Sequence, residues 1–163
     1  MLLSTPYDNA LDRIYREIRP ELLRYFRRRH GSDEAAEDLL QETFAAVLEN
    51  PARLLEARSP RAYLFGVARH VSVDALRGAR QEEPLDGEVE AEGAMEDPRL
   101  EAMRAAIAAL NPALRQVLDL RLRQEFSYEE IARVLGIPIG TVRSRLHYAV
   151  RSLAAAMKSD DSL

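Results

Sequence analysis

The chain has 163 residues, of which 47% are apolar and 31% charged, so it can build a packed core in one ordinary domain or two small ones. It contains no cysteine, which excludes disulfides and thiolate zinc sites. No apolar run approaches the ~20 residues that span a membrane, and the N-terminus lacks the apolar segment of a signal peptide. The composition therefore predicts a soluble, cytoplasmic protein.

The first predicted element is a helix from about Asn9 to Arg29. Its apolar residues recur every three to four positions, which is the period of a helix with one buried face: Leu11, Ile14, Ile18, Leu22 and Phe26. The helix ends in a basic cluster, Arg24, Arg27, Arg28 and Arg29. Cations are favourable at a helix C-terminus because of the helix dipole, and we prefer this explanation slightly over phosphate binding.

A second helix is predicted after Ser32, which is a good N-cap and is followed by two acidic residues. We expect Pro51 to end this helix, and we expect its buried side to consist of Leu40, Phe44, Val47 and Leu48. A separate polar stripe must face solvent or a basic partner: Glu34, Asp38, Gln41 and Glu42. Considered alone, such a stripe is more often a solvated face than an interface.

The pair Ser59-Pro60 opens a third long helix by the cap-then-proline rule. Its predicted core side is Leu64, Val67, Ala68, Val71 and Ala75. The other side carries Tyr63, Gly66, Arg69, His70, Asp74, Arg77 and Arg80. An aromatic ring and several arginines on one face suit a single-stranded nucleic acid, since rings stack on bases and cations meet phosphates. A half-buried core role for Tyr63 is equally compatible with its spacing.

The acidic residues of the chain are concentrated after this helix. Glu82 to Pro98 holds eight acidic residues and no basic one, and without them the formal charge changes from −4 to +4. The segment has too few large apolar residues to offset the entropy of ordering it. We therefore predict an all-α protein of two small helical domains, residues 8–80 and 99–157, joined by a flexible acidic linker at 81–98.

The second domain contains three closely spaced helices between Leu110 and Leu153. Asn111-Pro112 opens the first of them, and the second begins with a capping box at Ser127 to Glu130. Gly136 and Pro138 end that second helix, and a third begins near Gly140. Its predicted buried side is Val142, Leu146, Ala149, Val150 and Leu153. Two short helices joined by a glycine-containing turn are typical of a helix-turn-helix.

The outward side of the last helix is basic. Ile131 to Lys158 contains five lysines and arginines and no acidic residue. Cations and hydrogen-bonding groups are expected together on this side: Arg143, Ser144, His147, Tyr148 and Arg151. Such a helix suits a DNA major groove. A solvated amphipathic helix is the alternative, and we favour it less because solvated faces normally mix both signs of charge.

The sequence carries no enzyme signature. Its three histidines are scattered without an HExxH pattern, and it contains neither a glycine-rich phosphate loop nor a nucleophile elbow. We therefore predict a non-enzymatic protein without a catalytic residue, a metal site or a cofactor.

The order of these parts is distinctive. The stretches "AEDLLQETF", "PRAYLFGVARHVSVDALR" and "SYEEIARVLGIPIGTVRSRL", with the acidic linker between the last two, resemble an extracytoplasmic-function (group IV) sigma factor of bacterial RNA polymerase. The resemblance covers about Leu11 to Leu153. It implies a region 2 domain for the minus-ten promoter element, a region 4 domain for the minus-thirty-five element, and three partners: core RNA polymerase, promoter DNA and a membrane-bound anti-sigma factor.

The resemblance also implies roles for individual residues. Asp38, Gln41 and Glu42 match the surface that binds core polymerase. The minus-ten contacts fall on Tyr63, Arg69, His70 and Arg77. Thr141 matches a phosphate contact, and the remaining minus-thirty-five positions are Arg143, Ser144, Arg145, His147 and Tyr148. The stretch "PRAYLFGVAR" resembles the corresponding stretch in the iron-starvation subgroup, whose genes usually serve siderophore or haem uptake.

Three residues depart from the family pattern. His70 stands where many members have Asn, and Gly66 where many have Arg. Tyr148 replaces a common Arg, which removes a bidentate guanine contact. Two other protein classes also stay open on the sequence alone. A stand-alone helix-turn-helix regulator would bind a palindromic site without polymerase, and a sigma-like decoy would bind an anti-sigma factor without initiating transcription.

Overall fold

The computed structural model describes residues 6–79 and 97–160. Within them it contains helices and no strand, which confirms the all-α prediction. The helices are α1 (Pro6–His30), α2 (Asp33–Leu48), α3 (Pro51–Glu56), α4 (Pro60–Ala79), α5 (Pro98–Ala108), α6 (Pro112–Leu122), α7 (Tyr128–Leu135) and α8 (Ile139–Asp160). The fold divides into two compact units, Met1–Ala91 and Glu92–Leu163. Almost all of the predicted linker lies outside the described residues.

The helix boundaries follow local sequence signals, with one addition to the prediction. Gly31 adopts a left-handed φ of 75° where α1 ends, and its amide donates to the Arg27 carbonyl at 2.8 Å. Pro51 ends α2 as predicted, but it also begins the short helix α3, which the sequence reasoning missed. Proline suits the first helical position, because its missing N–H would have no partner there.

Unit 1 is built from α1, α2 and α4, with α3 packed beside them. Its fully buried side chains include Leu22, Phe26, Leu40, Leu64 and Phe65. The buried side of α4 also includes Ser72, a residue that the apolar pattern did not place inside. The prediction that Leu48 is buried was wrong, because the residue is 57% exposed. The neighbouring Val47 already points into the core, and consecutive helical residues diverge by about 100°.

Unit 2 contains the predicted helix-turn-helix, formed by α7 and α8. Ser127 and Glu130 form the capping box that starts α7, with both hydrogen bonds at 3.1 Å. Gly136 then takes a left-handed φ of 64°, which most side chains disfavour, and the chain turns into α8. The core is made by Val117, Phe126, Ile131, Val142, Leu146 and Ala149.

Val150 was also assigned to the wrong side of its helix. The prediction placed it in the core, but it is 58% exposed, whereas the preceding Ala149 is fully buried. Unit 2 is small, so its other helices cover only a narrow side of α8. That side contains Val142, Leu146 and Ala149. Val150 lies about 100° around the helix from Ala149 and faces outward.

Candidate nucleic-acid and protein interfaces

The predicted polymerase-binding residues lie together on α2. Ser32 caps the helix by accepting a hydrogen bond from the Ala35 amide at 3.1 Å. Asp38, Gln41 and Glu42 are all exposed. Asp38 lies about one turn before the adjacent residues Gln41 and Glu42, and all three lie opposite the buried positions of α2. Among the described residues, neither Asp38 nor Glu42 forms an ion pair. These carboxylates are therefore available to a basic partner.

The exposed Leu48 extends this stripe toward the C-terminal end of α2. It follows Gln41 by seven residues, so two helical turns bring it back to nearly the same face. The result is an acidic surface with one large apolar side chain at its end. Sequence reasoning missed this surface residue because a leucine next to Val47 looks like a continuation of the core. Protein interfaces often gain binding energy from such apolar groups within a polar surround.

Three of the four predicted minus-ten residues share one face of α4. Tyr63, His70 and Arg77 are separated by seven residues each, which corresponds to about two turns per step. His70 and Arg77 are exposed, and Tyr63 is half-buried, so part of its side chain is accessible. Asp74 approaches Arg77 at 4.0 Å, with both side chains about three-quarters exposed. This face can stack an unpaired base and meet phosphate.

Arg69 is separated from that face. It lies about 100° around α4 from His70 and about 60° from Ser72, which points toward α1. The side chain is half-buried, and its Nε atom is buried without a hydrogen-bond partner among the described residues. The structure therefore brings Tyr63, His70 and Arg77 together and places Arg69 at the edge next to α1.

The end of α1 is fastened to α4 through Ser72. The Arg29 Nε donates to the Ser72 Oγ at 3.0 Å, and the His30 Nε2 lies 2.9 Å from the same oxygen. Burial lowers the pKa of His30, and the positive charge of Arg29 lowers it further. The ring nitrogen of a neutral imidazole can accept a hydrogen bond from the Ser72 hydroxyl, which completes a hydrogen-bond chain from Arg29 through Ser72 to His30.

This arrangement explains part of the basic cluster at the end of α1. Arg29 is held by Ser72, and Arg27 pairs with Asp33 at 2.5 Å. Two arginines of the cluster thus have partners within unit 1, and the helix-dipole interpretation of the cluster stays a prediction. Of the other two arginines, Arg24 is exposed and Arg28 is half-buried.

The predicted minus-thirty-five residues lie on the first three turns of α8. Arg143, Ser144, His147 and Tyr148 are exposed, whereas Thr141 and Arg145 are half-buried. The helical angles put Ser144 and His147 at the centre of the outward side, with Arg143 on one flank and Tyr148 on the other. Arg145 lies nearest the core. The structure thus presents these six residues on a surface somewhat wider than one face.

Local contacts leave the outward side groups of α8 directed at solvent. The Ser144 hydroxyl donates to the Gly140 carbonyl at 3.0 Å and keeps its lone pairs available. The rings of His147 and Tyr148 meet edge to face at 5.8 Å, and Tyr148 is 58% exposed. No acidic residue occurs in α8 before Asp160. This surface can meet phosphates and base edges without repulsion from a carboxylate.

Other kinds of site were sought in the part of the chain that the structure describes. Residues 6–79 and 97–160 contain no group of three or more histidine and acidic side chains that could hold a metal ion. No helix in these ranges is long and apolar enough to cross a membrane.

Each of the two units matches a known protein family. The model of Sigma-70 region 2 matches residues 14–82, and that of Sigma-70, region 4 matches residues 100–153. The ECF RNA polymerase sigma factor SigL of Mycobacterium tuberculosis is 35% identical over 155 residues, which cover 89% of this chain and 87% of SigL. This chain belongs to the ECF sigma factors. Another relative, BldN of Streptomyces coelicolor, is 32% identical and is covered to 62% of its length.

Membership of this family settles the general activity. An ECF sigma factor directs transcription initiation and is not an enzyme, which confirms the resemblance to group IV and the non-enzymatic prediction. The helix-turn-helix of α7 and α8 is part of region 4. Neither of these relatives is described as an iron-starvation sigma factor, so the iron-starvation subgroup is not shown for this chain.

Solved structures show the same fold. A chain of the complex between the sigma factor RpoE and the anti-sigma factor NepR from Bartonella quintana matches with a TM-score of 0.66 and 24% identity, covering 93% of this sigma factor and 98% of that chain. The PhyRSL–NepR complex from Sphingomonas sp. Fr1 gives a TM-score of 0.63 and 22% identity, with 90% and 88% covered. At these identities the likeness concerns the fold alone.

Proposed function

We propose that this sigma factor uses three separate faces to start transcription: α2 binds core RNA polymerase, α4 holds the unpaired minus-ten element, and α8 reads the minus-thirty-five element. The observation that carries the proposal is that each face is exposed and belongs to the matching region, since α2 and α4 lie in region 2 and α8 in region 4. The domains then correspond to residues 8–80 and 99–157, with 81–98 as the linker.

Binding to polymerase is assigned to Asp38, Gln41 and Glu42. Their support is the exposure of all three side chains and the absence of an ion pair at either carboxylate among the described residues. Opposite charges on the polymerase would steer the encounter, because complementary fields raise association rates. Leu48 would add an apolar contact at the end of the same surface.

The minus-ten element is assigned to Tyr63, Arg69, His70 and Arg77. An unpaired base would stack on the accessible part of the Tyr63 side chain, and the exposed His70 and Arg77 would meet base edges and phosphate. Histidine presents one donor and one acceptor in its neutral form. Its base preference therefore differs from that of the asparagine found in many members.

The minus-thirty-five element is assigned to α8. Thr141 lies in the first turn, where amide groups and the helix dipole favour a phosphate. Arg143, Ser144, Arg145, His147 and Tyr148 would supply the remaining contacts to phosphates and base edges. Because Tyr148 cannot form the bidentate guanine contact of an arginine, this sigma factor should recognise a different base at the matching position.

Regulation is assigned to a membrane-bound anti-sigma factor that covers these surfaces. The support is that the sigma factor RpoE, whose complex has the same fold, was solved bound to the anti-sigma factor NepR. We further propose that the protein acts in the cytoplasm, where sigma factors work, and that it serves a stress or iron-uptake regulon. The proposal of an iron-uptake regulon rests on the sequence stretch "PRAYLFGVAR" alone.

Run-off transcription with purified core polymerase tests the proposal. Fragments of the source genome should give specific transcripts with the wild-type protein, and the Asp38→Arg/Glu42→Arg variant should abolish them. Glu17→Arg provides the matched control, since it reverses an exposed charge on α1. Tight binding to isolated duplex DNA without any transcript would instead identify a stand-alone regulator. Failure of both assays, together with capture of an anti-sigma factor, would identify a decoy.

A further inference from the structure

The Ser144 hydroxyl on α8 has a fixed hydrogen-bonding role. Its Oγ donates to the Gly140 carbonyl oxygen, one turn earlier in the helix, at 3.0 Å. A carbonyl oxygen can only accept a hydrogen bond, so the hydroxyl proton is used in this contact. Ser144 is exposed, and its oxygen presents lone pairs alone to the outside. Toward a partner, this serine is therefore an acceptor and not a donor.

The charged neighbours of Ser144 give its proton no other acceptor. Arg143 and Arg145 flank Ser144 in the sequence, and a guanidinium group can only donate. No acidic residue occurs in α8 before Asp160. The contact with Gly140 is therefore not in competition with a carboxylate of this helix. The outward side of α8 is rich in donors, and Ser144 adds an acceptor near its centre.

Gly140 leaves room for a partner to approach Ser144 closely. The two residues are one turn apart on nearly the same side of α8. Gly140 is exposed, and a Cβ atom placed on it would meet no other packed group within 4 Å. Among the described glycines, the left-handed conformation occurs at Gly31 and Gly136, not here. A missing side chain lets the backbone approach a ligand closely, which a side chain as short as serine needs in order to reach a base edge.

We propose that Ser144 reads the exocyclic amino group of an adenine or a cytosine in the minus-thirty-five element. The inference rests on the proposed function, which places α8 in the major groove. In that groove adenine N6 and cytosine N4 are donors, whereas guanine O6 and thymine O4 are acceptors. A serine that only accepts is matched by adenine and cytosine. Against guanine or thymine, two sets of oxygen lone pairs face each other.

The other side chains on this surface do not have the same role. Arg143 and Arg145 only donate, so they are matched by phosphate and by guanine. His147 and Tyr148 can each donate or accept, so their chemistry selects no single class of base. The contact between Ser144 and Gly140 thus adds a base class that the sequence pattern did not contain.

Transcription from single-base promoter variants tests the inference. The reconstituted holoenzyme is assayed with all four bases at each position of the minus-thirty-five element of a promoter mapped by run-off transcription. At one position, the wild-type protein should prefer adenine or cytosine over guanine and thymine by about tenfold, a typical cost of one mismatched base pair. Ser144→Ala should lose this preference alone. Ser144→Thr should keep it, because a threonine hydroxyl can also donate to the carbonyl one turn earlier.

Base analogues test the amino group itself. At the position that depends on Ser144, adenine is replaced by purine, or cytosine by the corresponding pyrimidinone, and neither analogue has an exocyclic amino group. Holoenzyme with wild-type protein should bind the analogue promoter about tenfold more weakly than the parent, relative to holoenzyme with Ser144→Ala. This comparison cancels any effect of weaker base pairing. Ser152→Ala, an exposed serine eight residues further along α8, is the matched control and should behave as wild type.

Two results would overturn the reading of an amino group while transcription by the wild-type protein still upheld the proposed function. One is a preference for guanine or thymine at the position that depends on Ser144, because the hydroxyl would then be the donor. The other is equal base preferences of wild type and Ser144→Ala at every position. Absence of transcripts with wild-type protein would reject the proposed function and this inference with it. Misfolding does not explain a lost preference, since alanine favours a helix more than serine does.

Discussion

At the scale of single residues, Ser72 links two features that the sequence pattern treated separately. It is a fully buried polar side chain on the apolar side of α4, and it contacts Arg29 and His30 at the end of α1. Buried hydroxyls are tolerated when they are hydrogen-bonded. The basic end of α1 therefore serves the packing of unit 1 as well as the helix dipole.

The first prediction concerns acid sensitivity of unit 1. Folding lowers the pKa of His30 below its ordinary 6.5, mainly through burial and also through Arg29. The unfolded chain then binds the proton more readily, so this group makes unit 1 less stable as the pH falls through the unfolded value of about 6.5 and below. Urea denaturation followed by amide NMR signals of unit 1 should show the loss.

His30→Gln should remove this part of the acid sensitivity, because glutamine does not titrate. His147→Gln, an exposed position in unit 2, serves as the control and should leave the pH dependence of unit 1 as it is. Equal acid sensitivity of wild type and His30→Gln would show that other groups account for it.

The second prediction concerns base recognition by Tyr148. Replacing it with arginine restores a donor that can bond guanine at two positions, which is worth about 1–3 kcal/mol of discrimination. Tyr148→Arg should therefore shift the preference toward guanine at one position of the minus-thirty-five element. Run-off transcription from a set of single-base promoter variants measures this preference.

Ala155→Arg is the matched control for the added charge. It lies seven residues further along nearly the same side of α8, beyond the turns that reach the bases. It should raise promoter affinity without changing base preference. A Tyr148→Arg protein with wild-type preferences would place Tyr148 outside the base-reading surface.

At the scale of elements, α2 combines a buried side and an exposed acidic side in only 16 residues. The buried residues Ala36, Leu40, Thr43 and Val47 hold the helix against α1 and α4, and this packing orients the acidic stripe. Arg19 contributes from α1 by pairing with Glu37 at 2.6 Å. The ion pair is partly exposed, so we expect it to orient the helix more than to stabilise the fold.

The third prediction follows from the exposure of Leu48. Leu48→Ala removes an apolar group that is 57% exposed, so the stability of unit 1 should change little. Its affinity for core polymerase should fall by about tenfold, because an apolar group within a polar surface often supplies much of the binding energy. Competition for core polymerase against labelled wild-type protein measures the change.

Leu100→Ala tests whether any exposed leucine has this effect. It is 52% exposed in α5 of the other unit. If both variants compete equally with wild type for core polymerase, the surface on α2 ends before Leu48.

At the scale of the whole molecule, each of the two compact units carries one of the two faces that we propose to bind DNA. Each face alone offers few contacts, and the tether raises the effective concentration of the second unit once the first has bound. The acidic segment between them also keeps the formal charge of the chain at −4, although α4 and α8 both carry arginines.

The fourth prediction is that the tether is required for promoter-specific initiation. Cutting the chain at a protease site inserted into the acidic segment should leave both fragments able to fold, because each unit has its own core. Promoter-specific transcription should fall by about a hundredfold or more after cleavage, in line with the gain from tethering. Undiminished transcription from the cleaved protein would show that each unit binds the polymerase strongly enough by itself.

The sequence alone determined most of the helices and the family. Capping residues, prolines and glycines are local signals, so α2, α4, α6 and α7 begin close to the positions that those residues predict. The helix-turn-helix and the acidic stripe could likewise be predicted, because both depend on spacing within one helix or one turn.

Only the tertiary structure decided which apolar residues stay outside and which polar ones go inside. Leu48 and Val150 are exposed because none of the helices that the structure describes covers their side, and periodicity within one helix does not contain that information. Ser72 is buried because the end of α1 supplies its hydrogen-bond partners. The register of α1 against α4 likewise depends on contacts between residues 40 or more positions apart, such as Arg61 with Glu21 and Arg29 with Ser72.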